Sequence, residues 1–181
     1  MKKIFVLAVA VTALITSCGT QKQASSSALR SNSGEALSGD PCVALANEDP
    51  IHRKQAEGSG FRREMAYQNA LNKVRMEFSG SIAYGICKAT AELIGQDQAD
   101  SELSDMLTTV VVGGMRIIKS VELVNENGLY ECSICAECTD EVLITCIEET
   151  LKEQGSEAQK TLLAIRHDEF IQQILAAMTA Q

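Results

Sequence analysis

The feature of this 181-residue chain that most constrains its fold is a change of hydrophobic period near residue 115. From Met115 to Val124 a largely apolar set of residues alternates with a more polar one, which is typical of a strand. Asn127-Gly128 follows, the strongest short signal for a tight hairpin. The next segment, Leu129 to Cys138, predicts the returning strand. The sequence therefore predicts a β-hairpin over residues 115–138.

A two-residue loop at Asn127-Gly128 also fixes which residues face each other across the hairpin. On one side the facing residues are mostly apolar or thiol, so we expect this side to be buried: Leu123 with Cys132, Val121 with Ile134, Lys119 with Ala136, and Ile117 with Cys138. On the opposite, outer side the expected pairs are Val124 with Glu131, Glu122 with Ser133, and Ser120 with Cys135.

Helical periodicity dominates the rest of the chain. The longest helical pattern runs from Phe61 to Ile94, where apolar residues recur every three or four positions and Ala66 and Ala70 permit a close approach to another element. Shorter helices are predicted from Pro41, after an Asp40 cap, to Asn47; over 101–110; from Thr139 or Asp140 to Glu153; and from Asp168 to Ala180. A weak strand is predicted from His52 to Gly58, and Gly58-Ser59-Gly60 reads as a turn.

These elements predict an α+β fold, in which a small antiparallel sheet with a central β-hairpin packs against a long helix and C-terminal helices. Residues 40–181 are long enough for one compact core. The chain has no Trp and seven aromatic residues in all, so we expect an aliphatic core with Met and Cys as fillers.

The N-terminal segment predicts a secretory signal. Lys2 and Lys3 precede an apolar run from Ile4 to Ile15, which is about 12 residues long and shorter than the roughly 20 that a spanning helix needs. The exit from this run, Leu14 to Gly19, resembles the lipobox of bacterial lipoproteins. That resemblance implies cleavage after residue 17 and acylation of Cys18, with palmitate among the expected chains. The alternative is a simple secretory signal cut nearby, with Cys18 an ordinary thiol.

The residues after Cys18 predict a tether. Residues 18–39 are rich in Gln, Ser, Ala, Gly and Asn, so we expect a flexible coil spanning roughly 25 Å. Removal of residues 1–17 takes Lys2 and Lys3 away and changes the formal charge from -8 to -10. Such acidity argues against nucleic acid as a partner and against membrane binding by charge. The expected membrane contact is the lipid on Cys18, and Gly19, where many inner-membrane lipoproteins carry Asp, favours the outer membrane.

Six further cysteines invite a chemical interpretation: Cys42, Cys87, Cys132, Cys135, Cys138 and Cys146. The spacing of Cys132, Cys135 and Cys138 would suit zinc or an iron–sulfur cluster on a loop. On a strand, however, Cys135 points away from the other two, and Cys132 lies about 20 Å from Cys138. We therefore expect small core residues and no metal site. One disulfide among the cysteines other than Cys135 is compatible with an oxidising compartment, and the sequence leaves its pairing open.

No catalytic or cofactor pattern stands out. His52 and His167 lie in polar surroundings without a nucleophile beside them, and we expect both to be solvated surface side chains. The pair Glu148-Glu149 reads as a solvated helix face. Gly58-Ser59-Gly60 lacks the Lys-Ser/Thr that a phosphate-binding loop requires. The sequence thus assigns one site residue, Cys18 for lipid attachment, and predicts no catalytic, cofactor or metal site.

Several short motifs resemble the LPP-twenty-like lipoproteins over residues 41–150. They are Pro41-Cys42, the run from Ala56 to Gly60, the alanine-spaced helix, the run from Val110 to Gly114, and Tyr130-Glu131-Cys132. The resemblance implies a membrane-anchored α+β domain of largely undetermined role. The cysteine-rich second hairpin strand and the extra C-terminal helix depart from the family pattern.

Three functions are compatible with these features. The first is a non-enzymatic lipoprotein of the cell envelope that binds an envelope protein or assists an assembly. The second is a thiol-dependent redox or metal-binding lipoprotein, suggested by the cysteines. The third is a hydrolase, for which the sequence offers dispersed carboxylates.

Overall fold

A computed structural model describes residues 39–95 and 112–179 of the chain. Its elements, in chain order, are α1 (Pro41–Glu48), β1 (Arg53–Gly60), α2 (Arg63–Ile94), β2 (Arg116–Val124), β3 (Tyr130–Glu137), α3 (Asp140–Gln154), α4 (Glu157–Ile165) and α5 (His167–Ala177). The expected signal peptide, Cys18, the tether up to residue 38 and the helix expected over 101–110 lie outside the described residues. Among the described helices, none combines the length and the apolar character needed to cross a membrane.

The three strands form one antiparallel sheet in the order β1-β3-β2, so β3 is the central strand. α2 packs across one face of this sheet, and we call that face the inner face. On β3 it carries Cys132, Ile134 and Ala136, all buried in the core. α1 packs on the opposite face, the outer face, to which Ser133 and Cys135 belong by strand alternation. The sheet, its hairpin, the long helix and the C-terminal helices confirm the predicted α+β class.

The long helix α2 supplies most of the cover of the inner face. It runs from Arg63 to Ile94, and Gly95 caps it with a positive φ of 68°, the left-handed conformation that glycine favours. The positions predicted to face the core are fully buried at five places and partly buried at two: Val74, Phe78, Ile82, Ile86 and Ala89 in the first group, and Leu71 and Leu93 in the second. The helical period was therefore read correctly from the sequence.

The segment Gly58-Ser59-Gly60 ends strand β1 and does not form the turn expected from its sequence. A Cβ atom at Gly58 would lie 2.2 Å from the backbone nitrogen of Ala70 and 2.4 Å from the carbonyl oxygen of Ala66. The helix backbone thus lies directly on the strand, as the small residues Ala66 and Ala70 predicted. Glycine is needed here for close packing of two backbones, which explains why its usual turn preference misled the prediction.

A second close contact joins α2 to α5. A Cβ atom at Gly85 would lie 2.7 Å from the carbonyl oxygen of Ile174, so the two helices are in close contact at this glycine. The apolar side of α5 is buried, with Phe170 and Ile174 fully enclosed. α5 therefore extends the core formed by α2 and the inner face of the sheet.

The hairpin forms where predicted, but its loop has three residues and not two. The N–H of Asn125 donates to the carbonyl of Leu129 at 2.9 Å, and the N–H of Gly128 donates back to the carbonyl of Asn125 at 2.9 Å. Gly128 has φ of 73°. The side-chain oxygen of Asn125 accepts from the N–H groups of Asn127 and Leu129, both at 3.0 Å. This Asn turn favours the three-residue loop over the two-residue one.

The longer loop shifts the register by one residue, so the predicted pairing of β2 is wrong. Glu122 lies opposite Cys132 and Ser120 opposite Ile134, on the inner face. Val121 and Leu123 lie opposite Ser133 and Glu131, on the outer face. A bulge between Ile117 and Lys119 returns Ile117 to the inner face, opposite Ala136. The predicted buried set of β3, by contrast, is confirmed: Cys132, Ile134, Ala136 and the adjoining Cys138 are buried.

The C-terminal part holds three helices where two were predicted. α3 begins after Thr139, whose hydroxyl accepts from the N–H of Val142, and it ends at Gly155, close to the predicted bounds. The unpredicted helix α4 starts with a capping box in which Ser156 and Gln159 exchange side-chain and backbone hydrogen bonds. The sequence Ser156-Glu157-Ala158-Gln159 carries the signature of that box, so this helix was readable. α5 follows at once from His167, one residue before its predicted start.

Candidate functional site

A buried polar cluster fixes α1 on the outer face of the sheet. Asp40 caps α1, and its carboxylate accepts from the N–H of Cys42 at 2.8 Å and from the hydroxyl of Ser133 at 2.5 Å. The side-chain amide of Gln55 donates to the same hydroxyl at 3.0 Å. The Cys42 thiol donates to the carbonyl of Ser133 at 3.6 Å. The first helix is therefore held at the middle of the central strand.

This placement of α1 overturns the expectation for Cys135. The sequence placed Cys135 on a solvated outer face, but its exposed fraction is 0%. Burial chiefly raises the pKa of the Cys135 thiol, to about 11, although Arg53 acts in the opposite direction. The strand alternation itself was predicted correctly, and the error lay in assuming that nothing covers the second face of β3.

The part of the outer face between Ser133 and the hairpin loop forms a cavity of about 260 Å³. All three strands and one side chain of α2 line it: Glu57, Gly58, Ser59, Lys73, Val121, Leu123, Glu131, Cys132 and Ser133. Val121 and Leu123 are partly buried side chains of the outer face, and the one-residue register shift is what brings them there. The cavity therefore combines aliphatic and charged groups in one shallow surface.

Three charged side chains set the electrostatics of the cavity. Glu57 and Glu131 are diagonal neighbours on adjacent strands, about 7 Å apart by the usual sheet spacing. Glu131 accepts a hydrogen bond from the side-chain amide of Asn125 at 2.8 Å. Within residues 39–95 and 112–179, Glu57 and Lys73 have no salt-bridge partner. Two carboxylates and one ammonium are thus presented beside an aliphatic surface.

Cys132 and Ser133, two of the residues that line the cavity, are not activated by their surroundings. Burial chiefly raises the pKa of the Cys132 thiol to about 11, Glu122 raises it further, and Arg63 partly opposes them. Because the thiolate is the reactive form, such a thiol is a poor nucleophile at neutral pH. The Ser133 hydroxyl donates to the capping carboxylate of Asp40. The side-chain hydrogen bonds of Ser133 join it to Asp40 and Gln55, neither of which is a histidine base.

His52 is a bridging residue, whereas the sequence suggested a freely solvated side chain. Its Nδ1 lies 2.9 and 3.0 Å from the two carboxylate oxygens of Asp49, and its Nε2 lies 2.8 Å from Oδ1 of Asp140. Burial acts to lower the pKa of His52, but the hydrogen bonds with Asp140 and Asp49 outweigh it and hold the pKa above its ordinary value. The bridge connects the segment after α1 to the first turn of α3.

His167 has a similar arrangement at the start of α5. Its two ring nitrogens lie 2.9 Å from a carboxylate oxygen of Asp168 and 3.0 Å from one of Glu148. The hydrogen bonds with Asp168 and Glu148 raise the pKa of His167 above its ordinary value. Its side chain is exposed, as expected, but it is paired. Neither histidine lines the cavity.

The six cysteines in the described part of the chain are all buried free thiols. Cys132 and Cys135 lie on opposite faces of β3, as their spacing predicted, and Cys138 directly follows the strand. Within residues 39–95 and 112–179, no three His, Cys, Asp or Glu side chains are arranged to hold a metal ion. Burial is the largest cause of the raised thiol pKa at Cys42 and Cys138, which reaches about 12 at both.

Two parts of the site were missed from the sequence. The cluster of Asp40, Gln55 and Ser133 joins residues up to 93 positions apart, and each looks like an ordinary cap or strand residue by itself. The cavity depends on the register of β2, which the two-residue loop misassigned. Asn125, two residues before Asn127, was the signal that could have corrected it. Cys18, the one predicted site residue, lies outside the described residues.

No protein-family model, curated protein sequence or solved structure matches this chain. The resemblance to the LPP-twenty-like lipoproteins stays a prediction from short motifs. The interpretation of function therefore depends on the residues and contacts of the chain itself.

Proposed function

We propose that this protein is a non-enzymatic lipoprotein of the cell envelope whose domain binds another envelope protein through the open half of its outer sheet face. Attachment through lipid on Cys18, on the outer membrane, is the membrane part of the proposal. The lipobox-like run from Leu14 to Gly19 and the polar composition of residues 18–39 support it. No nucleic acid is expected, because the formal charge of the chain is -8.

The observation that carries the binding role is the composition and shape of the cavity. Its volume of about 260 Å³ falls below the roughly 300–1,000 Å³ typical of small-molecule sites. It suits one or two side chains of a protein partner. Val121 and Leu123 supply aliphatic contact, while Glu57 and Glu131 attract a basic group. A partner segment with a Lys or Arg next to an aliphatic residue would complement both.

The structure gives less support to a thiol-dependent redox function. A redox-active thiol is accessible and has a lowered pKa. Here the six described cysteines are buried, and the pKa is raised at four of them, Cys42, Cys132, Cys135 and Cys138. These features are those of core residues, so protein binding is the function that we favour.

The binding proposal is tested by site-specific crosslinking in intact envelopes. A photo-activatable amino acid in place of Leu123 should capture a discrete partner, because Leu123 lines the cavity. The same amino acid in place of Glu153, an exposed residue of α3 outside the cavity, is the matched control. Glu57→Lys should weaken capture at position 123 by reversing a cavity charge. Equal capture at both positions, or none at position 123, would contradict the proposal.

The anchoring proposal has its own test. Cys18→Ala removes the attachment atom, so the variant should lose labelling by a fatty-acid analogue and leave the membrane fraction. Ser17→Ala keeps a small residue before the cysteine and should be labelled like the parent chain. Unchanged labelling of Cys18→Ala would contradict the lipid anchor without affecting the proposed use of the cavity.

A further inference from the structure

Two of the buried thiols, those of Cys42 and Cys135, share the interface between α1 and the outer face of the sheet. The Cys42 thiol reaches the carbonyl of Ser133 at 3.6 Å. Cys135 follows Ser133 by two residues along β3, so its side chain projects from the same face of the strand. Both residues have an exposed fraction of 0%. Both thiols therefore lie in the buried interface between α1 and the outer face of β3.

The electrostatics of the two thiols agree with this placement. Burial chiefly raises the pKa of Cys42, and both Asp40 and the Cys135 thiol raise it further. Asp40 likewise raises the pKa of Cys135. The same carboxylate, which caps α1, thus acts on both thiols across the interface.

We propose that Cys42 and Cys135 form a disulfide bond that fastens α1 to the central strand when the chain folds under oxidising conditions. The bond would connect the first helix after the predicted tether to the middle of the sheet. It would replace the weak contact between the Cys42 thiol and the Ser133 carbonyl by a covalent link.

The reaction balances with a small disulfide as the oxidant, such as oxidised glutathione. One cysteine thiolate attacks the oxidant and releases one glutathione thiol, and the second cysteine attacks the resulting mixed disulfide and releases the other. The protein loses two electrons and two protons, and the oxidant becomes two thiols. Because both cysteines are buried in the folded chain, the exchange should take place before α1 docks on the sheet.

Cys138 and Cys146 form a rival pairing. Cys132 and Cys138 are separated by six strand positions, about 20 Å, and cannot be joined. Cys146 helps to raise the pKa of Cys138, and both residues are in the core, so they are close enough to be considered. A bond between them would join β3 to α3 and leave α1 free. The two pairings are therefore distinguishable by which peptides become linked.

The test uses the full chain carrying Cys18→Ala, which leaves the six cysteines Cys42, Cys87, Cys132, Cys135, Cys138 and Cys146. The reduced, denatured protein is refolded with reduced and oxidised glutathione, the remaining thiols are alkylated, and proteolytic peptides are mapped by mass spectrometry. We expect one linked pair of peptides, containing Cys42 and Cys135. A dominant bond between Cys138 and Cys146, or six alkylated thiols, would overturn the proposal.

A second measurement checks the consequence for stability. Closing a loop of this length should raise the Tm of the oxidised protein above that of the reduced protein by about 10 °C. Cys42→Ala should abolish this redox-dependent difference, whereas Cys138→Ala should keep it. The comparison is made within each variant, so a general loss of stability does not affect the result. Persistence of the difference in Cys42→Ala would also overturn the proposal.

Discussion

The inner and outer faces of strand β3 are both buried at the middle of the sheet, but they are buried by different kinds of contact. The inner face meets α2 through apolar side chains and through backbone contact at Gly58. The outer face meets α1 through a cluster of hydrogen bonds around Asp40 and Ser133. Apolar packing against α2 buries the inner face of β3 at Cys132, Ile134 and Ala136, whereas the polar anchor covers only the part of the outer face that α1 reaches.

That difference explains where a binding surface can form. α2 has 32 residues and packs against β1 and β3, so it occupies the inner face of the central strand. α1 has 8 residues and is held at Ser133, so the strand ends beyond it remain open and form the cavity. We therefore expect changes on the inner face to affect stability most, and changes on the outer face to affect α1 or the cavity locally.

The largest effect is expected where α2 touches β1. Gly58→Ala would place a Cβ atom 2.2 Å from the backbone nitrogen of Ala70, and neither backbone can move without separating the helix from the sheet. We expect the variant to lose its native fold, a cost well above the roughly 1–3 kcal/mol of ordinary overpacking. Gly113→Ala is the control, because its Cβ would have no neighbour within 4 Å. Circular dichroism and thermal melts should show a cooperative unfolding transition like that of the parent chain for Gly113→Ala and none for Gly58→Ala.

The next effect compares one aliphatic side chain on each face. Ile134→Ala removes a fully buried side chain from the inner face and should lower the free energy of unfolding by about 2–5 kcal/mol. Val121→Ala, on the outer face at the cavity, should lower it by less than about 1 kcal/mol, because Val121 is only partly buried. Urea unfolding measures both. Equal losses would mean that the outer face is packed like the inner one.

The polar anchor should have an intermediate effect. Asp40→Ala removes the cap of α1 and leaves the Ser133 hydroxyl without its acceptor, so the free energy of unfolding should fall by about 2 kcal/mol. Ser133→Ala removes one of these hydrogen bonds and should cost about half as much. Hydrogen exchange of α1 amides would separate local release of the helix from global unfolding. Unchanged exchange in Asp40→Ala would refute the role of this cluster.

The register of β2 is tested by placing the same residue at two neighbouring positions. Glu122→Lys removes the ion pair with Arg63 and brings two positive charges together at the inner face, so it should lower the free energy of unfolding by about 1 kcal/mol. Leu123→Lys places the charge beside Glu57 and Glu131 and should cost less. The register expected from a two-residue loop gives the opposite order. Thermal melts of the two variants decide between the registers.

The smallest effect concerns the bridge made by His52. Its folded pKa is raised, so its contribution to stability is fully present below the unfolded value of about 6.5 and is lost as the pH rises through the folded pKa. His52→Gln should therefore lower Tm more at about pH 5.5 than at about pH 9. His167→Gln, at a more exposed pair, should show the same sign with a smaller difference. A loss of Tm in His52→Gln that grows with rising pH would contradict a raised pKa of His52 in the folded protein.

The elements with local signals were predicted well. The Asp40 cap with Pro41, the helical period of α2 and the Thr139 cap of α3 each depend on residues a few positions apart. The signal for the position of the hairpin was also local, because Gly128 takes the positive φ that the sequence Asn127-Gly128 suggested. The register failed for a local reason, since the side chain of Asn125 closes a longer loop. A closer reading of the turn would have recovered it.

The errors that no local signal could prevent come from contacts between distant residues. Cys135 looked exposed because α1, which covers it, is anchored through residues 91 and 93 positions away from Ser133. Gly58 looked like a turn residue because its reason for being glycine is the helix backbone at Ala66 and Ala70. Both errors affect the candidate site. Strand β1 and the register-shifted β2 line the cavity, and α1 covers the adjoining part of the outer face.

The pairing of β1 has a consequence for how the chain acquires its structure during synthesis. Within the described part of the chain β1 pairs only with β3, and its partners lie far along the chain: Gly60 with Tyr130, and Arg53 with Glu137, 84 residues later. β2 and β3 can form their hairpin locally, but a chain emerging from its N-terminus exposes β1 long before β3 exists. The contact order of the domain is therefore high at its first strand, so sheet completion should be the slow step of folding. Until then, the unpaired edge of β1 is the part of the nascent chain that most needs protection from aggregation.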